Sequence, residues 1–342
     1  MRHLGPLTFL RGLAAAACLA AVGCQCGAGW EPTGGLWISS EGSGRVYVLD
    51  ARDGGRLGQL ELSGDGGRGG SVAVSADGAE VYVADELAGA VSIIDTHTLE
   101  VKATVTGLAR PRDVRPSADG RALFVAQAGS SELAVIDLGN HSVQRVSASA
   151  GVPSSRTQSV WVSGGDVYVV NQLASTVVAL SATSGLPRWS LPVATNPTRL
   201  VVTGNGEVGY LAGAQDGVVQ QLRLTGVDAP DAGPSAPVGS SPGWLSLGQD
   251  GRWLVVSNGG VEDTISLLDL SQGLVERRRV QVGAGNVGQN ALSPSGDLAY
   301  VCVGIPPRVT VVDLEQQSVV ATYPLPEAPQ GLAYGPRPPP SR

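Results

Sequence analysis

The sequence predicts an all-β fold made of seven similar units, and three observations carry that prediction. Residues 71–95 read SVAVSADGAEVYVADELAGAVSIID: the apolar runs at Val72 to Val74, Val81 to Ala84 and Val91 to Ile94 are separated by the turn Ala76-Asp77-Gly78 and a polar loop ending at Gly89. Short β-branched and aromatic runs cut by Asp-Gly and Gly signals are antiparallel strands joined by tight turns. The pattern then recurs down the chain. Trp37, Tyr82, Phe124, Tyr168, Tyr210, Trp253-Leu254 and Tyr300 hold one place in it, and Asp50, Asp95, Asp137, Asp269 and Asp313 end the next strand, with Ser181 and Arg223 in the other two units. These marks return about every 44 residues, the spacing of four-stranded propeller blades. The third observation lies at the ends. The first unit opens on its second strand, Leu36-Trp37-Ile38-Ser39, and a surplus strand, Gly331-Leu332-Ala333-Tyr334, follows the last unit. Pairing the two completes a blade and leaves no edge at the seam. The expectation is a seven-bladed β-propeller over residues 36–335 with four-stranded antiparallel blades.

Composition agrees. Of 342 residues 15% are charged and 4% aromatic, 42% are hydrophobic and 48 are glycine. A disordered chain would carry more charge and less apolar content. The formal net charge is −7, and Lys102 is the single lysine. Binding driven by phosphate neutralisation needs a basic face, so a nucleic-acid partner is disfavoured.

In chain order, residues 1–23 come first, with Arg2 and Arg11 ahead of the apolar run GLAAAACLAAV and then Gly23-Cys24. The run is too short to span a bilayer and has the three-part form of a secretory signal. Leu19-Ala20-Ala21-Val22-Gly23-Cys24 resembles a bacterial lipobox, which implies lipidation at Cys24, with Ala21 where leucine is usual; plain secretion is the alternative. Gln25 follows the cysteine, and by resemblance to lipoprotein sorting this favours the outer membrane. Removing Arg2 and Arg11 with the signal takes the formal charge from −7 to −9. Residues 24–35 form a Gly/Pro-bearing tether. Of the four cysteines, Cys18 lies in the signal and Cys24 is the lipid site. Cys302 lies within the strand pattern Tyr300-Val301-Cys302-Val303, which fits a buried, inert thiol better than a pair with Cys26.

Within the ring, the first hairpin turns carry Asp77-Gly78, Asp119-Gly120, Gly164-Gly165, Asn205-Gly206, Asp250-Gly251 and Ser295-Gly296, which supply the positive φ of a tight turn. Runs such as Leu298 to Val303 are apolar on both faces, as strands packed between two neighbours should be. Glu100 to Val105 alternates, as a half-exposed outer strand does. Residues 225–237, TGVDAPDAGPSAP, hold three prolines and little to bury, so this outer position of the fifth unit reads as a surface loop. Residues 336–342 form a Pro-rich, extended tail.

The repeat resembles the YVTN-type β-propeller repeat of surface-layer and exported bacterial proteins. The resemblance rests on Val81-Tyr82-Val83-Ala84, Val91-Ser92-Ile93-Ile94-Asp95, Val101 to Val105, and Arg110-Pro111 leading to Ser117-Ala118-Asp119-Gly120. It covers about 300 residues and implies the propeller fold; because such folds serve many roles, it implies no single function.

Chemistry is sparse. His97 and His141 fall in outer turns, just after the strand-ending aspartates, and read as exposed turn residues. The recurring aspartates read as turn-formers that accept hydrogen bonds from their own hairpins. Asp85, Asp216 and Asp263 lie in loops without a calcium-loop pattern, no Cys/His spacing suits zinc, and no motif implies a cofactor. What remains is the channel mouth. The residues before the first apolar position of each inner strand are Gly70-Ser71, Arg112-Asp113, Gln158-Ser159, Thr198-Arg199, Gly243-Trp244, Gly288-Gln289 and Gln330-Gly331, with Asn290 next. Arg112, Asp113, Gln158, Arg199, Trp244, Gln289, Asn290 and Gln330 are therefore the candidate ligand-binding set, and no catalytic residue is assigned. Two guanidiniums would offer a local positive spot to a glycan or small anionic ligand, with Trp244 as a stacking platform. Alternatively Arg112, Asp113 and Arg199 simply pair. The expected function is a non-enzymatic envelope scaffold that binds a protein, glycan or small anion and meets the membrane only through its lipid. A lactonase-like hydrolase and a nucleic-acid-binding propeller are the alternatives.

Overall fold

A computed structural model of the chain describes residues 34–62, 69–149, 156–226 and 229–339. Residues 1–33, with the signal, the candidate lipid site Cys24 and Cys26, lie outside them. Twenty-eight strands form seven four-stranded antiparallel sheets, and the single helical element among the described residues is the 3₁₀ turn Leu270–Gln272. The expected seven-bladed propeller is what forms.

Closure occurs as the chain ends predict. The C-terminal strand Pro329–Gly335 pairs antiparallel with Gly35–Ser40, matching Leu36 with Tyr334, Trp37 with Ala333 and Ile38 with Leu332. This makes it the inner strand of a blade whose other three come from the N-terminal side. Gly34 N–H donates to the Tyr334 hydroxyl at 3.0 Å, and Trp37 Nε1–H donates to the Pro336 carbonyl at 3.1 Å. Arg337 reaches Asp50 at 3.2 Å, so the start of the tail is tied to the closing blade. A side chain at Gly331 would place its Cβ 2.0 Å from the Gly70 carbonyl and 2.6 Å from Ser39 Oγ, so close backbone approach selects glycine at the seam.

Seven apolar clusters fill the seven interfaces between adjacent blades. One joins Tyr82 and Ile93 to Val114 and Leu123; another joins Leu36 and Tyr47 to Tyr300 and Val311. Each recurring aromatic, Trp37, Tyr82, Phe124, Tyr168, Tyr210, Trp253 and Tyr300, is buried in such a cluster. The second strand of a blade is thus covered on both faces, which explains its continuous apolar run. Asp95 Oδ1 accepts from the N–H groups of His97 and Thr98, and Asp137 Oδ1 does the same for Gly139 and Asn140, as turn-forming aspartates should. Cys302 is fully buried, and burial pushes its thiol pKa up.

The fifth blade corrects one expectation. Asp231–Pro237 is an outer strand, paired with Val218–Arg223, rather than a loop in its place. The pairing skips at Gln221, opposite Gly233 and Pro234, and Pro237 ends the strand. Proline is tolerated there because an outermost strand has one partner and a bulge needs no ladder donor.

Candidate functional site

The seven inner strands stand side by side around the axis, Gly69–Val74, Pro111–Pro116, Thr157–Ser163, Pro197–Val202, Pro242–Leu247, Ala284–Leu292 and Pro329–Gly335, with the last against the first. Equivalent register positions therefore meet at the channel. One such ring holds Ser71, Asp113, Ser159, Arg199, Trp244, Gln289 and Gly331, and it forms a plug.

Asp113 is its centre. Its Oδ1 accepts from Ser71 Oγ at 2.8 Å, while its Oδ2 accepts from Ser159 Oγ at 2.9 Å and Val160 N–H at 3.0 Å. Arg199 forms an ion pair with the same carboxylate. The Arg199 guanidinium lies 3.5 Å from the centre of the Trp244 ring, a stacked cation–π contact. Asp113 is wholly buried and Arg199 is 3% exposed. Burial alone pushes the Asp113 carboxyl up, but the charges of Arg199 and Arg115 and the Val160 N–H outweigh it and hold the pKa below the ordinary carboxylate value. Burial draws Arg199 down to about 10, against the attraction of Asp113, so it remains a cation at neutral pH. Gln289 completes the ring by bridging strands: its Oε1 accepts from Val72 N–H and Leu332 N–H, each at 3.2 Å, and its Nε2 donates to the Val72 carbonyl at 3.3 Å.

On the mouth side of the plug is a cavity of about 70 Å³ lined by Arg112, Gln158, Thr198, Arg199, Gly243 and Trp244. The structure thus brings four of the candidate residues together. The two arginines do not form the expected positive spot, because Asp113 takes Arg199 and Glu86 takes both Arg112, at 3.1 Å, and Arg110. Gln330 is half-buried and lines neither this cavity nor the larger one on the other side.

That larger chamber measures about 290 Å³, and Trp244 is the one residue it shares with the mouth cavity. Gln289 and Asn290 face it, as do Arg115 and Trp161, which the sequence reading did not single out. Arg115 stacks 4.5 Å from the centre of the Trp161 ring. Both were within reach of register reasoning, since each lies three residues past a mouth residue, Arg112 and Gln158, on the same strand. Glu86 was also missed; it sits on the loop after the second strand, which in this fold folds back to the mouth.

The other titratable residues considered from the sequence lie away from this ring. His97 and His141 are exposed in outer turns. Asp85 accepts from the N–H groups of Leu87 and Ala88, Asp216 from Thr195 and Asp263 from Gly285. Among the described residues, no three His, Cys, Asp or Glu side chains are grouped to hold a metal ion.

The architecture and the plugged channel define the class as a seven-bladed β-propeller. Solved structures with this fold include a functionally unknown protein from Desulfotomaculum acetoxidans, at 16% identity and TM-score 0.76 over 90% of this chain and 99% of that one. The periplasmic gluconolactonase of Pseudomonas aeruginosa is similar at 20% identity and TM-score 0.73, covering 89% of this chain and 99% of its own. A protein described as a 6-phosphogluconolactonase from Bacteroides fragilis is similar at 15% identity and TM-score 0.73, covering 89% and 98%. No family model and no curated protein matches the sequence.

Proposed function

We propose that this chain is an exported, lipid-anchored propeller of the YVTN-repeat type that acts by binding a small ligand or partner at its channel rather than by catalysis. The observation that supports this most is the commitment of the channel carboxylates. Hydrolysis of an ester or lactone needs a base with a free lone pair beside a bound water. Asp113 already receives two hydroxyls, one N–H and a guanidinium, and Glu86 already receives two guanidiniums. The basic run before the apolar segment and the lipobox-like stretch at Cys24 support export and anchoring to the outer membrane.

A second reading, a lactonase-like hydrolase, is favoured by the fold likeness to two proteins named as lactonases and by arginines at the mouth. One assay separates the two. Purified protein is incubated with gluconolactone and 6-phosphogluconolactone, and ring opening is followed against the spontaneous rate. Binding predicts no acceleration. Turnover that is abolished by Arg112→Ala would replace this reading with the hydrolase.

A further inference from the structure

The mouth cavity holds one buried polar side chain that bonds to nothing, and the way the strands enter the ring puts it there. In four consecutive blades the inner strand is bulged at its second residue. The ladder skips Arg112 between Pro111 and Asp113, Gln158 between Thr157 and Ser159, Thr198 between Pro197 and Arg199, and Gly243 between Pro242 and Trp244. A bulged residue leaves the ladder and its side chain is re-aimed. All four skipped residues line the cavity, beside Arg199 and Trp244.

Three of the four carry polar side chains, and two of these are committed. Arg112 pairs with Glu86 at 3.1 Å, and Thr198 Oγ1 donates to the Pro242 carbonyl at 2.9 Å. Gln158 is different. It is 8% exposed, yet among the described residues neither its carbonyl oxygen nor its amide nitrogen has a hydrogen-bond partner. Neither atom is sealed in protein, as Asn290 Oδ1 and Arg115 Nε are beyond the plug, so the amide keeps the surface that it turns to the cavity. A buried amide costs desolvation free energy until its donor and its acceptor are both met.

Whichever way the amide is oriented, it presents an acceptor and a donor side by side. A carboxylate meets only the donor, whereas a carboxamide meets both. Charge points the same way, because Asp113 and Glu86 already oppose Arg199 and Arg112. At about 70 Å³ the cavity has room for a group of a few heavy atoms, a single water needing ~10–15 Å³. We infer that the mouth cavity binds a planar carboxamide, whose oxygen accepts from the Gln158 amide nitrogen and whose N–H donates to the Gln158 carbonyl oxygen. The inference rests on the binding reading above and adds to it the site and the chemical group. A free small amide and a glutamine side chain of a partner protein present the same chemistry.

The probes are acetamide, acetate, which has the same shape and lacks the donor, and a pentapeptide in which four glycines flank one glutamine. Binding to the full chain is read by titration calorimetry and by tryptophan fluorescence, because Trp244 lines the cavity. So small a probe binds weakly, and titrations run to ~100 mM. Acetamide is expected to bind, with acetate about ten-fold or more weaker, since one side of Gln158 is then left unmet. Gln158→Leu keeps the volume and removes both bonding atoms, and should weaken acetamide binding by a similar factor. Gly243→Val should abolish it: the nearest atom beyond its chain neighbours would lie 3.9 Å from the new Cβ, so the side chain takes up the cavity without a clash. Gln215→Leu, on an exposed loop of the same ring, should leave binding unchanged. The melting temperature of each unliganded variant establishes that it is folded. A glutamine peptide that binds more tightly than acetamide identifies a partner's side chain as the source, and acetamide binding without the peptide identifies a free amide; both uphold the inference. It is overturned if acetamide does not bind, if acetate binds as well, or if Gln158→Leu or Gly243→Val binds acetamide as the parent does. The lactone assay runs in parallel: no turnover and no acetamide binding removes this inference alone, whereas turnover removes the reading beneath it.

Discussion

Replacing Arg199 by methionine tests whether the channel is plugged by a desolvated ion pair. The variant keeps most of the side-chain volume against Trp244 but leaves the Asp113 carboxylate wholly buried beside only neutral bonding partners and the more distant Arg115. Removing one member of a buried pair costs about 3–5 kcal/mol, a large share of a typical total of roughly 5–15 kcal/mol. With an unfolding entropy of about 2 cal/mol/K per residue over roughly 300 ordered residues, that is a fall in melting temperature on the order of 5–8 °C. The pH dependence gives a second readout. In the parent, Asp113 has a depressed pKa, so its contribution is complete above the unfolded value near ~3.9 and is lost as pH falls through the lower folded value. In the variant, burial dominates and raises that pKa, so lowering the pH from neutral neutralises the stranded carboxylate and relieves part of the loss. The gap between parent and variant should therefore narrow as pH falls toward the acid range. Calorimetric melting of both proteins across that range is the assay. An unchanged melting temperature at neutral pH, or a gap that does not respond to pH, would mean that the pair is solvated and the channel open.

Three further outcomes follow, two from the structure and the last from the sequence. Deleting residues from Gln330 onward removes most of the inner strand of the closing blade, including Leu332 and Tyr334. At ~1.5–3 kcal/mol for each buried apolar side chain the ring should unfold or aggregate, and a normal melting curve would show that closure does not depend on this strand. In protein lacking Cys18, Cys24 and Cys26, the remaining Cys302 should resist a thiol reagent while folded and react once denaturant is added; rapid reaction of the folded protein would contradict its burial. Cys24→Ser should leave the protein soluble or unprocessed in fractionated cells, and a variant that still pellets with membranes as the parent does would remove the lipid anchor at that residue.

Much of the fold was legible because a propeller repeats its instructions. Each Asp-Gly or Asn-Gly turn fixes a hairpin locally, as the φ of +74° at Gly78 and +75° at Gly206 bears out, and the unequal ends dictate how the ring closes. The outer strand Asp231–Pro237 was not legible. Its prolines are loop signals in isolation, and only the single-sided pairing of an edge strand makes them acceptable. At the channel, the sequence located the ring position but not its state. Register brings Asp113 and Arg199 to one axis, yet which cation each carboxylate takes depends on distances across blades, and the partner of Arg112 came from Glu86 on a loop outside the ring. Arg115 and Trp161 stayed hidden because reasoning about the mouth stopped before the middle of the strand.

The plug also sets what the channel can do. A carboxylate that acts as a base must keep a lone pair for water and be able to gain a proton near neutral pH. Asp113 meets neither condition while Arg199 holds its pKa down and three other donors occupy its oxygens. Freeing it for chemistry would require breaking the ion pair whose loss is expected to cost several degrees of melting temperature. Stability and catalysis would thus compete for the same residue. The plug divides the channel at Trp244, with Arg112 and its 70 Å³ cavity on one side and Arg115 with the 290 Å³ chamber on the other.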